Sequence, residues 1–192
     1  MNRNTKKQNP QSRAQALWTA EPQLDTRSAR YAEADRSRAE GSNDWGRTGR
    51  RAAQWVDALH AYEDFADARG RAPRENTRNR SELPAAERRM GEWARYQRRF
   101  DEKLCRYQVI RLDLSPAFAW DPHEHLWQQN FAACVAHFRM TRRMPYLNGS
   151  DQSEFALARW LGRQLRQMQT GSLPASRATQ IAELLALRRG ID

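Results

Sequence analysis

The sequence predicts an all-α fold, two tandem three-helix repeats behind a partly disordered basic N-terminal arm. Three observations carry this expectation. Apolar residues recur at three- and four-residue steps, which is helical spacing, and no stretch alternates as a strand would. Blocks built around Trp and Pro recur in the same order at nearly constant offsets, the signature of a duplication. The first 54 residues are polar and basic and have little apolar periodicity. With 39% hydrophobic residues and seven Trp among 192 residues, the chain has material for a modest core, so full disorder is excluded. Mean hydropathy is −1.00, and no run approaches the roughly 18 apolar residues of a membrane span.

Residues 1–54 are read as the arm, largely disordered with a possible short helix. The first 26 residues hold Pro10 and Pro22, with Ala14, Leu17 and Trp18 as the residues able to dock or form that helix. Residues 27–40 contain strong helix formers but almost no apolar face, so a helix there is expected to be marginal alone. Gly41 to Thr48 (GSNDWGRT) fits G-x4-G-[KR]-T. A phosphate-binding loop of that kind needs a preceding strand and a Lys, whereas Arg47 stands there behind charged, Ala-rich sequence, so a flexible linker is expected.

Repeat 1 is placed at 55–126 and repeat 2 at 127–192. Trp55, Leu59, Tyr62 and Phe65 lead to Pro73; Trp127, Phe131, Cys134 and Phe138 lead to Pro145, at an offset of 72. Met90, Trp93, Gln97 and Arg99 then match Leu157, Trp160, Gln164 and Arg166 at an offset of 67, so the intervening loop is five residues shorter in the second copy. Leu104 and Leu112 match Leu173 and Ile181. The first helix of each copy opens at its Trp and stops before the Pro-containing loop. The second starts near Pro84 in copy one, and behind an Asp151/Glu154 capping box in copy two. The third runs over about 104–114, and over 174–188 with Pro174 in its first turn.

These residues resemble the helicase-associated domain, a small three-helix repeat common in actinobacterial proteins. The resemblance is carried by Met90-Gly91-Glu92-Trp93-Ala94-Arg95-Tyr96-Gln97-Arg98 with Pro116-Ala117-Phe118-Ala119-Trp120 in copy one. In copy two it is carried by Leu157-Ala158-Arg159-Trp160-Leu161-Gly162-Arg163-Gln164 and Gly171 to Arg177. It covers about 55–192. Copy two has Leu165 where the family has Arg, copy one has Gln108 where Arg is expected, and the chain's end lacks the closing Phe and Trp. What the resemblance implies is DNA binding; no helicase motor is encoded.

Charge points the same way. Of 33 basic residues, 30 are Arg, and net charge is +10. Residues 1–54 and 127–192 each carry +5 and the middle is neutral, so polyanions should be drawn to the two ends. On the second helix of copy two, an inner stripe of Leu157, Trp160, Leu161, Leu165 and Met168 turns Arg159, Arg163 and Arg166 outward at i, i+4 and i+7. Arg142 and Arg143 in the loop ahead extend that surface. Copy one presents Glu92, Tyr96 and Arg99 instead, so Arg95 and Arg99 are secondary candidates. The four Trp residues at equivalent positions of the repeats (Trp55, Trp93, Trp127, Trp160) are expected in the core, and Trp120 in a closing corner. Trp18 and Trp45 have no assigned role.

Other constellations point to no chemistry. His123 and His125 in DPHEHLW lack further ligands for a metal, and Asp121-Pro122 reads as a helix start. His60 and His137 are expected to be packed or solvated. Glu63-Asp64 and Asp101-Glu102 are expected as exposed helix charges. Cys105 and Cys134 are expected as reduced, half-buried thiols. The expectation is therefore a non-enzymatic DNA-binding protein without cofactor or metal, the alternatives being RNA as ligand or a protein-interaction module that docks on a nucleic-acid enzyme or other acidic partner. No apolar stretch follows the basic N-terminus, so no secretory signal is read and the expected location is cytoplasmic.

Overall fold

The structure, a computed structural model, describes residues 9–41, 49–75 and 82–189; these form eight α-helices and no strand. The chain divides into two compact units, Met1–Trp120 and Asp121–Asp192.

In the first unit, α1 (Pro10–Thr19) starts with Pro10 in its first turn and Asn9 Oδ1 accepting from the Gln11 amide at 3.1 Å. Gln11, Ala14 and Trp18 form its buried stripe, which packs on α5 (Arg106–Asp113), and Trp18 meets Tyr107 edge-on at 6.0 Å. Helix α2 (Thr26–Ala39) is capped by Asp25, whose carboxylate accepts from the Ser28 amide at 2.7 Å. It packs against α3 (Arg50–Arg69) and α5. The described parts of the expected arm, residues 9–41 and 49–54, are thus folded and supply Ala14, Trp18, Tyr31, Ala32, Ala34 and Ala52 to the first core. The expectation of a largely disordered arm fails there because the buried stripe of α2 is Ser28, Tyr31, Ala32 and Asp35. Helical periodicity is present, but two of the five buried positions of α2, Ser28 and Asp35, are polar. Leu17, by contrast, is exposed. Trp45 and the 42–48 part of the GSNDWGRT segment lie outside the described residues.

Helix α3 buries Ala52, Trp55, Val56, Leu59 and Tyr62, and ends at Gly70 with φ +63°. Helix α4 (Ala85–Arg99) lays Met90, Trp93, Ala94 and Gln97 against the core. Gly91 lets the Pro73 loop approach: a Cβ there would stand 2.6 Å from the Arg74 carbonyl oxygen. After a 3₁₀ turn (Asp101–Lys103), α5 buries Tyr107, Ile110 and Leu112. Phe118 closes the aromatic corner against Tyr62 and Trp93 at 6.5 and 6.3 Å.

The second unit holds α6 (Pro122–Thr141), α7 (Gln152–Gln169) and α8 (Ala175–Arg189). It begins before the expected boundary at 127, because Asp121 caps α6 by accepting from the His123 and Glu124 amides, each at 2.9 Å. Its core is Trp127, Cys134, Phe138, Trp160, Leu161, Leu173, Ile181 and Leu184. Both cysteines are free and buried. Asp151 caps α7 through the Ser153 and Glu154 amides at 2.9 and 3.1 Å. The return bond of a capping box is not made, since Glu154 is used elsewhere.

Candidate nucleic-acid interface

The orientation of α7 follows from its apolar stripe. Trp160 and Leu161 are buried, and Leu157, Leu165 and Met168 pack around them, so the opposite edge faces outward. Arg159, Arg163 and Arg166 all lie on that edge and are exposed. None of the three makes an ion pair among the described residues; Arg159 lies over the Phe155 ring at 5.9 Å. Seven residues of helix set Arg159 and Arg166 about 10 Å apart along the axis.

The loop arginines separate. Arg142 is exposed at the C-terminus of α6 with φ +57°, the backbone conformation that Gly70 adopts at the end of α3. An L-residue there costs roughly 1–2 kcal/mol relative to Gly, yet a guanidinium is placed there. Arg143 does not extend the surface freely, because both its terminal nitrogens are bonded to Glu154, Nη2 at 3.2 Å. Glu154 is buried and also accepts from Asn148 Nδ2 at 3.1 Å and the Tyr146 amide at 3.4 Å. The Arg143 hydrogen bond, helped by these donors and opposed by burial, lowers its pKa to about 2. Arg177 is likewise committed, pairing with Glu124 at 2.6 Å while lying 5.1 Å from the Trp127 ring centre. The second unit thus divides its arginines between carboxylates that hold the fold and an edge that faces solvent.

The same internal fastenings occur in the first unit. Glu87 is buried and accepts from Arg71 Nη1 at 2.7 Å and the Arg74 amide at 2.9 Å, as Glu154 does from Arg143 and Tyr146. Arg71, first of all, holds the Glu87 carboxyl below its usual range. Trp55 Nε1 donates to Gln97 Oε1 at 2.9 Å, and Trp127 Nε1 donates to Gln164 Oε1 at 2.9 Å. Sequence reasoning placed Gln97 and Gln164 in the motif without a role, missed Glu87, and read Glu154 as part of a capping box rather than as the partner of Arg143. Arg-x-Pro before each, with the two glutamates at the same offset as the glutamines, was the signal that could have found them.

The outer edge of α4 differs from that of α7. Arg95 is half-buried and Arg99 exposed, with Tyr96 between them. Arg98 is turned inward to Glu75 and to the Ala119 carbonyl oxygen at 2.8 Å.

The first unit also buries a polar network. Asp35 Oδ2 accepts from Tyr107 Oη at 2.8 Å and Arg111 Nε at 3.0 Å, its Oδ1 lies 2.8 Å from His60 Nε2, and Arg111 Nη2 reaches Glu63 at 2.6 Å. Burial alone would raise the Asp35 pKa, but His60, Arg111 and Tyr107 together hold it below the ordinary 3.8. Burial, reinforced by the Asp35 charge, pushes the Tyr107 hydroxyl up. Glu63 is therefore an ion-pair partner rather than an exposed charge, whereas Asp64 is exposed. The network fastens α2 to α3 and α5. Among the described residues no group of three or more His, Cys, Asp or Glu could hold a metal, and no helix is long and apolar enough to cross a membrane. An open apolar hollow of about 510 Å³ on α6, lined by Phe131, Val135 and Met140, carries no acid–base pair.

No protein-family model matches the chain, and neither a curated protein nor a solved structure matches it significantly.

Proposed function

We propose that the chain is a non-enzymatic nucleic-acid-binding protein, with double-stranded DNA as its foremost ligand, built from two tandem copies of a helicase-associated type of module. The observation that carries this reading is the outer edge of α7, where Arg159, Arg163 and Arg166 are exposed without acidic partners among the described residues. Arg143 and Arg177 of the same unit are instead paired with Glu154 and Glu124. Guanidinium groups spread over about 10 Å of helix suit a phosphate backbone or the edges of a major groove about 12 Å wide. Arg142 adds a further charge. Arg143 belongs to the fold first and to the surface second, and Arg95 and Arg99 form a weaker face. The shared Trp–Gln and Arg–Glu fastenings support the tandem-copy reading, and the motif resemblance supports DNA. No cofactor or metal enters the proposal, and a cytoplasmic location goes with it.

The test is a mobility-shift titration against duplex DNA, single strands and RNA at two salt concentrations. Phosphate-dominated binding weakens steeply with salt. Binding that is absent or indifferent to salt would transfer the proposal to an acidic protein partner, and a clear preference for RNA would replace DNA as ligand.

A further inference from the structure

We propose that the outer edge of α4 in the first unit is a stacking platform for an unpaired base of a single-stranded nucleic acid. This deepens, and rests on, the reading of the chain as a nucleic-acid binder. Tyr96 is 53% exposed, and its ring lies 4.7 Å from that of Phe100 at an interplanar angle of 51°. The pair forms an aromatic ledge one turn long. Lys103 Nζ sits 4.3 Å from the Phe100 ring centre and the Arg99 guanidinium 5.4 Å from it. Neither cation has an ion-pair partner among the described residues, and Arg95 borders the ledge from the preceding position.

Among the described residues, the other exposed aromatics are engaged differently. Trp120 is held edge-on to Phe118 at 5.0 Å and its Nε1 donates to Asp113 at 2.7 Å. Tyr146, as exposed as Tyr96, has the Arg143 guanidinium 4.4 Å from its ring centre and no neighbouring ring to extend it into a ledge among the described residues. Among the described residues the ring contact of Tyr96 is with Phe100, and the side chain is otherwise exposed.

The open ring selects the ligand. Acidic and basic residues interleave along this stretch, with Glu92 among Arg89, Arg95 and Arg99 on α4 and Asp101 and Glu102 just before Lys103. A duplex keeps its bases stacked on each other and hidden from the ledge, so it gains nothing from the rings. An unpaired base gains from stacking, which every base can supply, while two or three cations follow its backbone. In the repeat alignment Tyr96 stands where the second unit has Arg163. The same outer position thus presents a ring in one unit and a charge in the other.

The experiment uses the full chain and an oligo-dT strand carrying one 2-aminopurine, whose fluorescence is quenched by stacking. The parent should quench it on binding. Tyr96→Ala should melt like the parent, because the side chain is exposed and Ala favours helix. It should lose single-strand affinity by about 5- to 150-fold, the equivalent of one stacked base, and lose the quench, with duplex affinity unchanged. Tyr96→Trp should restore both. Arg159, Arg163 and Arg166 changed together to Gln should weaken duplex binding and leave the quench in place. Unaltered single-strand affinity and quench in Tyr96→Ala, with duplex binding intact, would overturn the platform alone. Failure of the parent to bind either single strand or duplex at low salt would overturn the nucleic-acid reading with it.

Discussion

Replacing Asp35 by Ala is the sharpest perturbation of the first unit. The residue is fully buried in α2, and Ala is the better helix former, so the helix itself loses nothing. What is lost is the acceptor shared by Tyr107 and Arg111, at 2.8 and 3.0 Å, together with the His60 contact. Arg111 keeps its two bonds to Glu63, so its charge is not left wholly unpaired. Orphaning two buried donors costs about 1–3 kcal/mol each, in line with about 3–5 kcal/mol for removing one partner of a buried ion pair. For a unit of this size that corresponds to a fall of roughly 12–20 °C in melting temperature. Arg36→Ala is the control, because its pair with Glu33 is exposed and should contribute less than about 1 kcal/mol. The assay is thermal and urea unfolding followed by circular dichroism. Equal melting of Asp35→Ala and Arg36→Ala would show that the network does not hold α2 in place.

Two further outcomes follow from the packing. Trp18→Ala should destabilise the first unit by about 3–5 kcal/mol, the usual cost of emptying a buried aromatic position; urea unfolding like that of the parent would mean that α1 docks without contributing. The second unit should lose stability in acid through Glu154: its folded pKa of about 2 lies below the ordinary 4.5. The contribution is therefore complete above about pH 4.5 and disappears as pH falls towards 2. Glu154→Gln should flatten that part of the unfolding profile, and an unchanged profile would refute the assignment.

The second unit was largely legible because its buried stripes are apolar. Leu157, Trp160, Leu161, Leu165 and Met168 mark one face of α7, and the outward position of Arg159, Arg163 and Arg166 follows by exclusion. The first unit was harder. Ser28 and Asp35 occupy buried positions of α2, and Ser28 earns its place by accepting the Tyr107 amide at 3.1 Å. Partners about 80 residues away along the chain make those polar residues compatible with burial, and no local pattern shows such partners. The same reason hid Glu63, which reads as a surface charge until Arg111 is placed beside it. At the candidate site, sequence separated inside from outside but not free from paired: Arg142 and Arg143 are adjacent and alike, and only the position of Glu154 tells them apart.

The central claim is that the α7 edge carries duplex binding by phosphate contact. The most direct measurement is the salt dependence of duplex affinity for the parent and for the variant with Arg159, Arg163 and Arg166 all changed to Gln. Gln keeps the helix, so melting should be nearly unchanged. If each arginine contacts a phosphate, the slope of log affinity against log salt should become shallower by roughly 2.7. Arg95 and Arg99 changed to Gln should cost less duplex affinity. A folded triple variant with the parent's affinity and slope, or equal losses from the two sets, would contradict the claim.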